Sequence, residues 1–229
     1  MTWLLNNGEF IGQLIVAHLL ISLPPIILSF VISVPIGWVA NRYRLSRGTL
    51  LTVLGLLYAI PSLPLFIILP LVMGTGLRDS INLVVALTLY GIALMVRTTA
   101  DGLASVDSDI RQSATAVGFS ARSQFFRVEL PLAGPVLLAG IRVVAVSTIS
   151  LTTVGAVIGV DSLGALFTDG FQRGIAAEIL TGIVLTIIIA LSVDGLLVLL
   201  GRVLMPWVAV NSGRFARREL RRAREAVTA

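Results

Sequence analysis

Two opposite charges stand where charges are costly. Arg142 lies eleven residues beyond Pro131 in one long apolar run, and Asp194 lies eleven residues before Met205 in another. On insertion scales a charge at the centre of a membrane helix costs about 2.5–3.5 kcal/mol, so such residues pair or face water. If both runs are helices counted from the same membrane face, a rise of about 1.5 Å per residue brings the two to similar depth. The spacing predicts an Arg142–Asp194 ion pair joining two helices. A buried guanidinium repels a cationic cargo, so the pair's expected work is structural.

Other chemistry is scarce. The chain has no Cys, no Lys and a single His. That excludes a disulfide framework, a thiolate metal site and a phosphate-cradling loop with its lysine. No paired carboxylates occupy a polar segment, so neither a catalytic residue nor a metal ligand set is read here. His18 sits about one turn inside an apolar run and reads as a hydrogen-bonded core residue. Ser62, Tyr90, Ser147, Thr148 and Ser150 could line a route through a helix bundle, with kinks at Pro61 and Pro64 opening the space. They could equally bond helix to helix, as small polar residues do in membranes. Tyr58 or Tyr90 could set a ring face against a cation.

The elements that position these residues follow from composition. Of 229 residues, 56% are hydrophobic and 13% charged, against about 45–50% and roughly 25% in soluble domains. A bilayer core needs roughly 20 apolar residues as helix. Five runs qualify: 14–40, 50–73, 81–96, 132–160 and 175–205, the third short enough to extend a turn at either end. Glu9 precedes the first run, which is too long for a cleaved signal and is read as retained. The fold class is therefore all-α, a five-helix membrane domain over residues 1–210 with a basic tail over 211–229.

Arginine placement orients the spans. With the N-terminus outside, inner segments hold Arg42, Arg44 and Arg47, then Arg97, Arg111, Arg122 and Arg127, then Arg202 and six tail arginines. Outer segments hold only Arg78 and Arg173. This is the positive-inside pattern, with Trp38 and Trp207 at inner ends and Trp3 near the outer surface. The tail aligns Ala216, Leu220, Ala223 and Val227 along one helical side and is expected on anionic lipid, at about 1 kcal/mol per basic residue. Nucleic acid is not an expected partner.

Between the third and fourth spans, the cytoplasmic segment 98–131 contains "RQSATAVGFSARSQFFRVELP". It reads as two short helices. Asp107, Ser108 or Asp109 can cap the first and Ser120 the second. Gly118 falls where a left-handed C-terminal cap is cheapest. Pro131 can open the next membrane helix at its first position, where its missing N–H costs little. Ser113, Ala114 and Ala116 are small enough for another surface to approach closely.

The stretch resembles the cytoplasmic signature of bacterial ABC-importer permeases: Glu-Ala-Ala, a Gly four residues on, then an aliphatic-x-Leu-Pro ending. Here it runs Gln112-Ser113-Ala114, Gly118, then Val128-Glu129-Leu130-Pro131, with Gln and Ser in place of Glu and Ala. A glutamine keeps hydrogen bonding without the charge. "YAIPSLPLFIILPLVMGTG", "LPLAGPVLLAGIRVVAV" and "VIGVDSLGALFTDGFQRG" resemble spans two and four and the extracellular segment of permeases importing quaternary-ammonium osmoprotectants.

The resemblance implies a type I ABC-importer permease fold in the bacterial cytoplasmic membrane, working as a transport subunit rather than an enzyme. It implies separate ATPase subunits holding ATP and Mg, a second and non-identical permease subunit, and a separate extracytoplasmic binding protein. The 111–131 loop would dock on the ATPase. The cargo would be glycine betaine, choline, carnitine or a related amine. Alternatives are a methionine-type or ergothioneine-like cargo, or a self-sufficient carrier or scaffold; the absence of an internal inverted repeat argues against the carrier.

Overall fold

The computed structural model describes residues 7–208, the side chains of 44–46 apart. Trp3 and the basic tail 211–229 lie outside the described residues. The described chain is a bundle of helices: α1 (Gly8–Arg42), α2 (Arg44–Ala59), α3 (Ser62–Met73), α4 (Ser80–Ala104), α5 (Ser108–Ala116), α6 (Ala121–Gln124), α7 (Leu130–Thr152), α8 (Ala165–Arg173) and α9 (Ala176–Leu204). A π turn, Phe125–Glu129, joins α6 to α7, and a 3-10 turn, Thr153–Ile158, follows α7.

The centre is α4 with α7. Leu83, Leu87, Met95 and Leu103 of α4 and Val144, Ala145 and Ile149 of α7 are essentially inaccessible. Membrane helices gain little from hydrophobic transfer between themselves, so they associate by close packing through small residues. Helix α1 does this along Ser22, Ser29, Ser33, Gly37 and Ala40, all buried. A β-carbon on Gly91 of α4 would stand 2.6 Å from that of Ser29, and one on Gly37 would stand 2.6 Å from Thr99. Neither contact leaves room for a side chain. By contrast, α9 buries only Glu178, Thr181, Gly182, Ile189 and Gly201.

Four of the expected spans are single helices. The third is longer than its apolar run, since α4 continues two turns through the polar residues 97–104. The second is not continuous. It divides at Ile60–Pro61 into α2 and α3, which meet at 101°. The pair is nevertheless one broken span, because it meets α4 at both ends. Arg47 bridges Asp101 at 2.7 Å near the end of α4, and the Asn82 amide donates to the Gly76 carbonyl at 2.7 Å near its start. Midway, the Tyr90 hydroxyl donates to the Ile60 carbonyl at 2.7 Å. With the pair counted as one span, the chain crosses five times.

Arg42, Arg47 and the segment 107–129 share one end of the bundle, since Trp38 of α1 packs on Phe125 with ring centroids 5.2 Å apart. Arg78 lies at the other end, its side chain against Gly159.

Candidate functional site

The polar segment folds as a knob at the arginine-rich end. Helix α5 begins under Asp107, whose carboxylate accepts from the Asp109 amide at 2.8 Å. It ends at Gly118, with φ +91°. The Phe119 amide donates to the Ala114 carbonyl at 3.1 Å and the Gly118 amide to the Thr115 carbonyl at 3.0 Å. This pair of bonds is the Schellman closure, which needs a left-handed residue and takes glycine at least cost. Ser120 then caps α6, accepting from the Ser123 amide at 3.3 Å.

The knob is braced from within. Thr115 donates to Gln124 at 3.2 Å, and Gln124 donates to the buried Glu129 at 3.1 Å. Ala114 is buried inside the knob, so its small size serves internal packing as well as approach. Gln112, Ser113 and Ala116 face outward. Beside them Val117 is 79% exposed, and a β-carbon on Gly118 would meet nothing within 4 Å.

Pro131 stands in the first turn of α7, as expected, but α7 is not preceded by a loop: α6 runs through the π turn into it, with the Leu130 amide donating to the Phe125 carbonyl. An interior proline collides with the carbonyl four residues back, and the widened turn sits where that collision with Arg127 would fall. Val128 lies within this turn, and Leu130 and Pro131 follow at half-buried positions. Helix α6 is thus continuous with the fourth span.

Arg142 and Asp194 meet in bidentate fashion, Nε to Oδ1 at 2.6 Å and Nη2 to Oδ2 at 2.7 Å. The pair ties α7 to α9, and a planar fork on a carboxylate fixes their register as well as their distance. Glu178, whose place near the outer end of the fifth run predicts an interfacial side chain, is instead fully buried where α9 meets α8. His18 is also fully buried, with the backbone of Ile149 beside its ring.

Of the candidate pathway residues, the structure gathers Pro61, Ser62 and Tyr90 around the break in the second span. Ser150 is exposed on α7 and Ser147 half-exposed, but Thr148 turns into the core. Sequence reasoning did not single out Ile60, whose carbonyl anchors Tyr90. Two prolines three residues apart were its signal. A separate apolar cavity of about 830 Å³ lies between α1, α7 and α9, bordered by Phe30, Trp38, Phe126, Leu138 and Leu204. It has almost no polar lining with which to select a solute.

Residues 33–210 match the family described as "Binding-protein-dependent transport system inner membrane component". The chain belongs to that family. It is a multi-pass inner-membrane transport component. The chain is 30% identical to the glycine betaine/carnitine/choline transport system permease protein OpuCD of Bacillus subtilis, over 93% of this chain and 92% of that one. It is 30% identical to the osmoprotectant import permease protein OsmW of Salmonella typhimurium, over 89% of this chain and 96% of that one. Among solved structures, a chain of the MetNI methionine ABC transporter in an inward-facing conformation superposes with TM-score 0.76. It covers 87% of this chain and 98% of that one at 17% identity, so that likeness concerns the fold alone.

Proposed function

We propose that this permease carries quaternary-ammonium solutes (glycine betaine, choline, carnitine or a close relative) into the cell. Energy comes from a separate ATPase that binds ATP and Mg, and cargo arrives from an extracytoplasmic binding protein. The N-terminus faces out and the C-terminus in. The observation that carries the reading is the signature segment, folded as a braced, outward-facing knob at the arginine-rich end of the bundle. Relatives named for these solutes, at 30% identity over nearly the whole chain, supply the cargo class.

The work runs through the knob. Gln112, Ser113, Ala116 and Gly118 meet the ATPase, and its closure on ATP displaces α5 and α6. Because α6 continues into α7, that displacement tilts the fourth span. The Arg142–Asp194 fork passes the tilt to α9. Pro61, Ser62, Tyr90, Ser147 and Ser150 border the route, with Thr148 supporting α7 from behind. A second permease subunit completes the route against the uncovered faces of this one.

Purification of the tagged chain from its native membrane tests the reading. The expected result is a complex containing an ATPase and a second permease, whose proteoliposomes take up labelled choline or glycine betaine only with ATP. Uptake that persists after the ATPase is inactivated would mean a self-sufficient carrier and overturn it.

A further inference from the structure

The break in the second span leaves backbone carbonyls open at mid-membrane. Helix α2 ends at Ala59, and the prolines at 61 and 64 have no N–H to return to the carbonyls of Leu57 and Ile60. Ile60 donates to Leu57 at 3.3 Å and Tyr90 satisfies Ile60. No amide of α3 reaches back to the carbonyls of Tyr58 or Ala59; the first bond across the break runs from Leu65 to Pro61. The open carbonyls form the negative end of the α2 dipole.

Tyr58 stands on this end. Its ring lies edge-to-face with Tyr90, centroids 5.8 Å apart and planes at 85°. Tyr90 is buried and held by its hydroxyl, while Tyr58 is 43% exposed. The pair therefore presents the Tyr58 ring outward from a fixed base. Tyr58 lies eleven residues beyond Arg47, about 16 Å into a hydrocarbon core of roughly 30 Å. Its hydroxyl has no hydrogen-bond partner among the described residues. An unpaired phenol facing acyl chains at that depth would be costly. Residues 48–77 carry no charged side chain.

We propose that the Tyr58 ring and the open carbonyls at the end of α2 form a transit site for the quaternary ammonium head of the cargo. The inference rests on the cargo class proposed above. A trimethylammonium group donates no hydrogen bond, so ring faces and carbonyl dipoles recognise it. A site without a full negative charge holds a cation briefly enough to release it. Half-helix ends at the bilayer midplane bind ions on the same principle.

The test uses the complete complex, with its ATPase and binding protein, in proteoliposomes supplied with labelled choline. Tyr58→Leu lowers the maximal uptake rate about tenfold, the equivalent of about 1.4 kcal/mol of lost cation–π attraction. The choline concentration giving half-maximal uptake stays unchanged, because the binding protein sets it. Tyr58→Phe and Tyr58→Trp keep the ring face and stay within about twofold of the native rate. Phenylalanines of increasing fluorination at position 58, which keep the shape but drain the ring, reduce uptake stepwise. That series decides the matter if the leucine variant fails to assemble. Native-rate uptake by Tyr58→Leu, or a flat fluorination series, overturns the site and leaves the cargo class standing. A native complex that imports neither choline nor glycine betaine overturns the cargo class itself.

Discussion

At Gly118 and at Ile60 the chain breaks a helix in two different ways. The Gly118 turn is closed: the two amides that follow α5 return to the carbonyls of Ala114 and Thr115, and Asp107 and Ser120 cap the flanking starts. The Ile60 break is open: two prolines remove donors, and one tyrosine hydroxyl holds the free end. A closed break in water makes a rigid shape for another protein to grip. An open break inside a membrane leaves partial charges exposed, and such backbone persists only against protein or a water-filled space. The first suits force transmission and the second suits a passing solute.

Substitutions at Gly118, at the Arg142–Asp194 fork, at the two prolines and at Tyr90 press on this contrast, and the largest effect is expected at the closed break. Gly118→Trp strains a backbone at φ +91° and puts bulk on the docking face. The ATPase should be lost from the purified complex, and uptake should fall to background. Gly118→Ala adds only the left-handed penalty of about 1–2 kcal/mol, and co-purification should weaken rather than vanish. Asp194→Asn comes next, since it leaves Arg142 without its carboxylate. The yield of monodisperse permease in detergent should fall, and exchanging the two charges (Arg142→Asp with Asp194→Arg) should recover part of it. Full transport by Asp194→Asn alone would remove the fork from the account.

At the open break, Pro61→Ala with Pro64→Ala restores two amide donors and favours a straighter span. Uptake should drop severalfold while the ATPase stays bound, the reverse of the Gly118 phenotype in which binding is lost. Tyr90→Phe is the mildest change. It removes one hydrogen bond, about 1 kcal/mol, and should lower the thermal midpoint of the permease by a few degrees with a modest loss of uptake. If it matches the double proline variant, the hydroxyl rather than the prolines maintains the break.

Much of this architecture was legible in the sequence because it follows from solvent and period. Apolar run lengths located the spans, and the register of Arg142 and Asp194 against Pro131 and Met205 anticipated the fork. Gly118 announced its turn through the spacing of the signature. The 101° bend was not readable, because prolines alone do not say which will break a helix. Pro24, Pro25 and Pro35 sit inside an unbroken α1, where α4 packs against their turns. Pro61 and Pro64 remove donors from adjacent turns, and Tyr90, thirty residues away, offers the alternative bond. Glu178 likewise depended on α8 folding over it, a tertiary contact with no local sign. The π turn was hidden for the same reason: a Leu-Pro pair reads as a helix start, and nothing local says that the helix of Ala121–Gln124 runs into it.

The most direct test of coupling through the knob exploits the lack of native cysteine. A single cysteine at Val117, carrying a photo-activatable cross-linker, is placed in a complex that transports actively. The account predicts that cross-linking captures the ATPase, with a yield that changes on adding ATP, and that a membrane-impermeant thiol reagent reaches this cysteine only from the cytoplasmic side. A fully active complex in which position 117 captures no ATPase, or is labelled from outside the cell, would contradict it.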